Sequence, residues 1–392
     1  MFCVPRRLPA LSRRSLLASA LAATAVIAVT ATSAAAASTT TAEPRSHDAV
    51  TCQSGIRIPV ALAPGQPATS TISGELCSTL AEQSPGTTVQ LLISGATYTH
   101  DYWDFGTIDG IRYSYARSVA ARGLATFAID PLGSGDSSHP ASTQITAQAD
   151  AFVDHQVVQA LHAGQVAGVR FGKVITVGHS LNSLIVWDEA ITYHDVDGVI
   201  VTGVAHSLAK AFAASGGFYP ATSDPKFTGS GLDSGYLTTV PGQRSVLFYH
   251  LPDADPAVIA QDEARKDVVS GTELNSALPL VTTDLTATRA INVPVLTILG
   301  SNDLTTCGTS VTGGTFDCSS AAGIIAQDAP FYSPQAQLHA CLIPGSGHDV
   351  SLALNHGLQI ADTVAWSEAF VGQRGPAQAD GHRSGGLPAN CA

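Results

Sequence analysis

Apolar and polar positions along this chain fall into a repeating alternation. Short runs rich in β-branched and apolar residues occupy 87–94, 124–129, 173–177, 198–204 and 336–342, with another that begins at Asn292. Strands buried on both faces read this way, because neither face has to meet water. Between them lie stretches with helical spacing, at 108–122, 143–167, 181–190 and 351–371. Earlier, 56–62 and 68–76 read as two antiparallel strands separated by the turn residues Pro64-Gly65-Gln66-Pro67. The alternation fails once, over 208–288, a segment rich in Gly, Pro, Ser and Tyr with a helical piece near 258–269. The pattern predicts one large α/β domain with an insertion over the carboxyl ends of its strands, where ligands enter open α/β sheets.

The most informative stretch is Lys173 to Val186, which passes from a buried strand through Gly178-His179-Ser180 into an amphipathic helix. A serine at the apex of a strand–turn–helix has its Oγ lifted clear of the sheet. The amino end of the helix then aims N–H groups, and the positive end of its dipole, at the same point. This stretch resembles the nucleophile segment of the α/β-hydrolase superfamily, whose pattern is Gly-x-Ser-x-Gly. Asn182 stands where the family has its last glycine. A side chain there crowds the approach of helix to strand, although asparagine tolerates tight turns better than most residues. The plainer reading of Ser180 is a helix N-cap.

The resemblance extends along the chain and implies roles for further residues. The run 87–94 leads into Gly95-Ala96-Thr97-Tyr98, where the family has His-Gly-x; Ser94 replaces the histidine. That loop and the residue after the serine would supply the oxyanion-hole N–H groups, here Ala96, with Thr97 as the second choice, and Leu181. Tyr98 reads equally as a wall of the substrate pocket or as a packing residue, and Trp103 as packing. Asp130-Pro131-Leu132-Gly133-Ser134-Gly135-Asp136-Ser137 resembles a loop that is a structural turn in most members, so Asp130 is not expected to be catalytic. Its glycine spacing does not fit a dinucleotide site. The exit Ala205-His206-Ser207 has no carboxylate, whereas Asn292 to Asp303 resembles the strand that delivers the triad acid, implying Asp303. Of 13 histidines, only His348 follows a final strand and precedes the last helix. Ser180, Asp303 and His348 occur in the family's chain order. The implied fold is α/β-hydrolase: a mostly parallel central sheet flanked by helices, with an inserted cap. Phe218, Tyr219, Phe227 and Tyr236 of that cap could line a pocket or form its own small core.

Composition sharpens this picture at the edges. Arg6, Arg7, Arg13 and Arg14 precede an alanine-rich apolar run that ends at Ala35-Ala36-Ala37, the pattern of a cleaved export leader over 1–37. Ser12-Arg13-Arg14-Ser15-Leu16-Leu17 resembles the twin-arginine signal, with a general secretory signal as the alternative. The expected organisation is therefore leader 1–37, first core part 38–207, cap 208–288 and second core part 289–392. The net charge of −12 argues against nucleic acid or an anionic membrane surface as partner. Beyond the leader six cysteines remain, and an even number in an exported chain reads as disulfides. Sequence proximity favours Cys52–Cys77, Cys307–Cys318 and Cys341–Cys391; no Cys-x-x-Cys points to zinc. Cys307 lies close after Asp303, so its bridge either holds that carboxylate in register or only ties down a surface loop. No metal or organic cofactor is expected. Three functions stay open on sequence: an exported ester or lactone hydrolase, a peptidase with the same triad, and a binding protein on a hydrolase scaffold.

Overall fold

The computed structural model describes residues 49–372 and 386–392. The leader expected at 1–37 lies outside the described residues. Eight strands form the main sheet: β1 (Thr51–Val60), β2 (Ser70–Ser78), β3 (Thr88–Ile93), β4 (Ala125–Ile129), β5 (Lys173–His179), β6 (Gly198–Thr202), β7 (Val295–Gly300) and β8 (His339–Ile343). Their order is β1-β2-β4-β3-β5-β6-β7-β8. β2 pairs antiparallel with both neighbours, and every pairing from β4 onward is parallel. This is the α/β sheet that the alternation predicts, in the α/β-hydrolase arrangement that the resemblance implies.

Every residue of β3, β4, β6 and β7 is buried, which is why those strands read as unbroken apolar or β-branched runs. The two-residue period of a strand divides them between layers. Leu91, Val199 and Val201 pack on one face, while Leu92, Ile200 and Ile298 pack on the other. The first layer is closed by α2 (Ala147–Ala163) and α3 (Leu181–Tyr193). α2 begins at Thr146, whose side chain accepts from Ala149 N–H, and stops at Gly164 with φ 76°.

One expectation is corrected. Instead of a helix over 108–122, the chain forms a hairpin, Asp104–Ile108 with Ile111–Ser114, before the short helix α1 (Tyr115–Ala120). The reason is local. Asp109 and Gly110 both take positive φ, 49° and 82°, and an Asp-Gly pair between apolar residues is a strong two-residue hairpin signal. The last helix is also shorter than its pattern, spanning Gly357–Trp366, with Ser367–Val371 wound into a wider turn.

Between β6 and β7 the chain leaves the sheet and builds a small three-stranded sheet from Phe218–Pro220, Tyr236–Thr239 and Val269–Ser270. Helices Pro256–Arg265 and Gly271–Ala277 accompany it. All three expected disulfides form: Cys52–Cys77, Cys307–Cys318 and Cys341–Cys391. The last ties the tail to β8, where Ala340 and Ala392 exchange backbone hydrogen bonds of 3.1 and 2.9 Å and cover the sheet's outer edge. Among the described residues no helix is long and apolar enough to cross a membrane.

Candidate active site

Parallel pairing places the carboxyl ends of β3, β5, β6, β7 and β8 along one edge of the sheet. Gly95, Ser180, Gly203, Asp303 and His348 all lie just beyond those ends. Ser180 is held at φ 53° and ψ −123°, a strained backbone for a residue other than glycine. Its N–H donates to Thr202 O at 2.9 Å and its carbonyl accepts from Ser183 N–H at 2.9 Å, so the turn is fixed from both sides. A Cβ on Gly95 would lie 2.7 Å from Ser180 Cβ, so a glycine is needed where the β3 loop passes the serine. Asn182 fits where the family has glycine because its amide turns toward β3 and donates to Ser94 O.

Asp303 and His348 meet, and His348 shares a cavity lining with the serine. Asp303 Oδ2 lies 2.9 Å from His348 Nδ1. Its Oδ1 accepts from Thr305 N–H at 2.8 Å and from Thr305 Oγ at 2.7 Å. Burial opposes charge on the Asp303 carboxylate, but the His348 imidazole and the Thr305 donors outweigh it and hold its pKa below the ordinary value. For His348, burial pulls the pKa down, and the charge and hydrogen bond of Asp303 overcome this and raise it. His348 Nε2 is buried and has no hydrogen-bond partner among the described residues. Gly203, with φ 73°, leaves room for this ring: a Cβ there would lie 2.6 Å from His348 Cε1.

Ser180 and His348 line one cavity of about 70 Å³ together with Ala96, Leu181 and Thr305. The rest of its wall is almost wholly apolar: Leu184, Val204, Leu208, Phe212, Phe218, Phe248, Leu274, Leu278 and Val281 are among the lining residues. Several of these come from the inserted segment. Of the four aromatic residues singled out there, only Phe218 lines this cavity. Phe227 and Tyr236 pack against the main core, and Tyr219 donates to Asp224 at 2.7 Å. A larger cleft of about 520 Å³ lies elsewhere, between the β1–β2 turn and the start of α2, and contains none of the predicted site residues.

Tyr98 is not in the cavity wall. It is buried behind the Gly95–Thr97 turn, with its hydroxyl against Asp349 and, at 3.1 Å, Asp262. Asp349 also lies 3.0 Å from His179 Nε2, whose other ring nitrogen is 2.9 Å from Thr202 Oγ. Burial, and then the nearby His348, push the His179 pKa well below the ordinary value. Asp130 is a turn residue as expected, bonded to His100 N–H at 2.8 Å and Asp136 N–H at 2.9 Å. Sequence reasoning missed Thr305, although Asp-x-Thr is a recognisable turn in which the carboxylate accepts two residues on. It also missed Phe212 and Phe248, which carried no local signal.

The sequence pattern of the Alpha/beta hydrolase family matches residues 90–363. Solved structures share the fold at low identity. A thermophilic esterase from Thermogutta terrifontis is 16% identical with a TM-score of 0.50, covering 78% of this chain and 95% of its own. A soluble variant of monoglyceride lipase from Saccharomyces cerevisiae is 16% identical with a TM-score of 0.51, covering 78% and 94%. An alpha/beta hydrolase fold protein from Chitinophaga pinensis is 14% identical with a TM-score of 0.50, covering 77% and 94%. A search of curated proteins finds no match.

Proposed function

Because this chain belongs to the alpha/beta hydrolase family, we propose that it is an exported serine hydrolase acting on a carboxylic ester or lactone. The observation that carries this reading is the buried Asp303–His348 pair, 2.9 Å apart, whose imidazole shares one cavity with Ser180. In this reading Ser180 Oγ attacks the carbonyl carbon while His348 Nε2 takes its proton. Asp303, acceptor of the Nδ1 proton, keeps the imidazole in the required tautomer and stabilises the imidazolium. The backbone N–H groups of Ala96 and Leu181 receive the negative oxygen, each worth roughly 3 kcal/mol in the transition state. The tetrahedral adduct collapses, His348 returns the proton to the leaving alkoxide, and Ser180 keeps the acyl group. Water repeats the cycle with His348 as base and leaves the free acid.

The cavity wall favours esters. Among the described residues no Asp, Glu, Lys or Arg side chain lines it, so it suits an uncharged, apolar acyl group rather than the charged terminus of a peptide. The arginine-containing leader and the three disulfides support export. The inserted segment acts as the cap, since much of the apolar wall belongs to it.

The experiment combines a covalent probe with a substrate panel on purified protein lacking residues 1–37. A fluorophosphonate should label the wild type and not Ser180→Ala. p-Nitrophenyl esters of uncharged acids should turn over faster than aminoacyl anilides. Ser180→Ala and His348→Ala should each lower turnover on the order of 10⁶-fold. Absence of labelling would favour a binding protein, and faster anilide turnover would favour the peptidase reading.

A further inference from the structure

The turn that carries Ala96 is strained, and the inserted segment holds it. Tyr98 N–H donates to Gly95 O at 3.1 Å, so Ala96 and Thr97 are the central residues of a tight turn. Thr97 has φ 66°. That region favours glycine at the third position of such a turn and is unfavourable for a β-branched side chain. A backbone of this kind persists where its surroundings over-determine it. Two contacts do so, and both come from the inserted segment. Arg244 Nη1 donates to Thr97 Oγ at 2.6 Å, and Asp267 N–H donates to Thr97 O at 2.8 Å.

Arg244 is itself immobilised. It is fully buried, and its Nε and Nη2 each donate to one oxygen of Asp262 at 2.8 Å, a bidentate pair. Its guanidinium lies 4.1 Å from the centre of the Tyr98 ring. The Tyr98 hydroxyl joins Asp262 to Asp349, the neighbour of His348, and Asp349 reaches His179, the neighbour of Ser180. The charge of Arg244 therefore sits in a network that touches the turn, the residue before the serine and the residue after the histidine. Arg244 is not among the residues that line the cavity.

We propose that Arg244, clamped by Asp262, is a positioning residue of the serine site: it fixes the Thr97 turn so that Ala96 N–H faces the oxygen that becomes negative. This rests on the reading of Ser180 as nucleophile. It follows that the oxyanion site is complete only while the inserted segment is seated, because lifting that segment removes both contacts to Thr97 together.

The test separates this role from general support of the fold. Arg244→Met alone would strand Asp262 as a buried unpaired charge, so the main variant is Arg244→Met/Asp262→Leu, which replaces the pair with apolar side chains. Thr97→Val, which loses only the hydroxyl, is the second variant and carries the test if the first does not fold. Both are assayed with a p-nitrophenyl ester below their melting temperatures, and binding of benzeneboronic acid, which forms a tetrahedral adduct on an active serine, is measured in parallel. The expected result for the pair variant is a kcat lowered about 10²-fold, the size of losing one oxyanion donor, with KM within about threefold. Boronate affinity should fall in step with kcat. Thr97→Val should show about a tenfold loss in kcat with the same pattern. Normal kcat and boronate affinity in a folded variant, with only melting temperature lowered, would overturn the proposal. Ser180→Ala serves as the control: if it retains turnover, the reading of the site itself fails and this proposal fails with it, whereas an inactive Ser180→Ala beside a normal pair variant sinks the role of Arg244 alone.

Discussion

His348 sits between opposed effects, and their balance makes a prediction. Burial favours its neutral form, while Asp303 raises its pKa. As a general base it must be neutral, so kcat/KM is expected to rise with pH through that pKa. Asp303→Asn removes the charge and leaves burial to dominate, so the acidic limb should move to lower pH while the maximal rate falls about 10⁴-fold through the wrong tautomer. A pH–rate profile of both proteins checks this; an unmoved limb would mean that another carboxylate partners the histidine. At this scale Ser180, Asp303 and His348 were legible because each follows a strand in a recognisable local pattern. Tyr98 was not. Its direction depends on Arg244 and Asp262, which lie far along the chain and have no local relation to it. The departure at Asn182 carries its own compensation, the hydrogen bond to Ser94, and that partner is equally invisible in a linear reading.

Among the elements, the buried strands were readable to within a few residues because burial on both faces leaves a simple signature. The hairpin at 104–114 was not read, because Ile108 to Arg122 taken as a whole has helical spacing and the Asp109-Gly110 pair overrides it. The loop after β7 offers a sharper question. Cys307 N–H donates to Asp303 O at 3.0 Å, and the Cys307–Cys318 bridge closes a small hairpin, Gly308–Thr309 with Thr315–Phe316. Val311 N–H bonds Leu208 O at 2.8 Å, so this hairpin also grips the start of the inserted segment. Removing the bridge as Cys307→Ser/Cys318→Ser should destabilise the protein by about 2–3 kcal/mol, the entropy of a short closed loop. Because Thr305 keeps both of its hydrogen bonds to Asp303, kcat at temperatures where the variant is folded should fall less than tenfold. Thermal melting and initial rates decide it: a loss as large as that of Asp303→Asn would show that the bridge, and not Thr305, holds the carboxylate.

Over the whole molecule, one large α/β domain with an insertion before its last strands followed from alternation and its single failure, whereas the order of strands in the sheet did not. The way the insertion is fastened to the core did not, because the fastening uses buried polar side chains that look like surface residues in sequence. One such junction has a consequence for pH. Glu273 of the inserted helix and Asp150 of α2 are both buried, and the Asp150 carboxylate has no hydrogen-bond donor among the described residues. Burial pushes both pKa values up, that of Glu273 to about 8. Asp154 nearby is raised in the same way, by burial and then by Glu273. A carboxyl that is protonated in the folded protein and ionised in the unfolded chain means that the folded state binds more protons. Stability is therefore fully present below the ordinary carboxylate pKa and is lost as pH rises towards about 8. A tenfold displacement of one proton equilibrium is worth about 1.4 kcal/mol, or about 2 °C in a domain of this size. Asp150→Asn/Glu273→Gln removes both titrating groups and puts neutral amides in their place. Its melting temperature should fall by at least about 3 °C less than that of the wild type between pH 5 and pH 8. Calorimetric scans at the two pH values make the comparison. Parallel losses in both proteins would place the alkaline weakness elsewhere. A flattened profile would locate it where the insertion meets α2, at the residue next to Leu274 in the cavity wall.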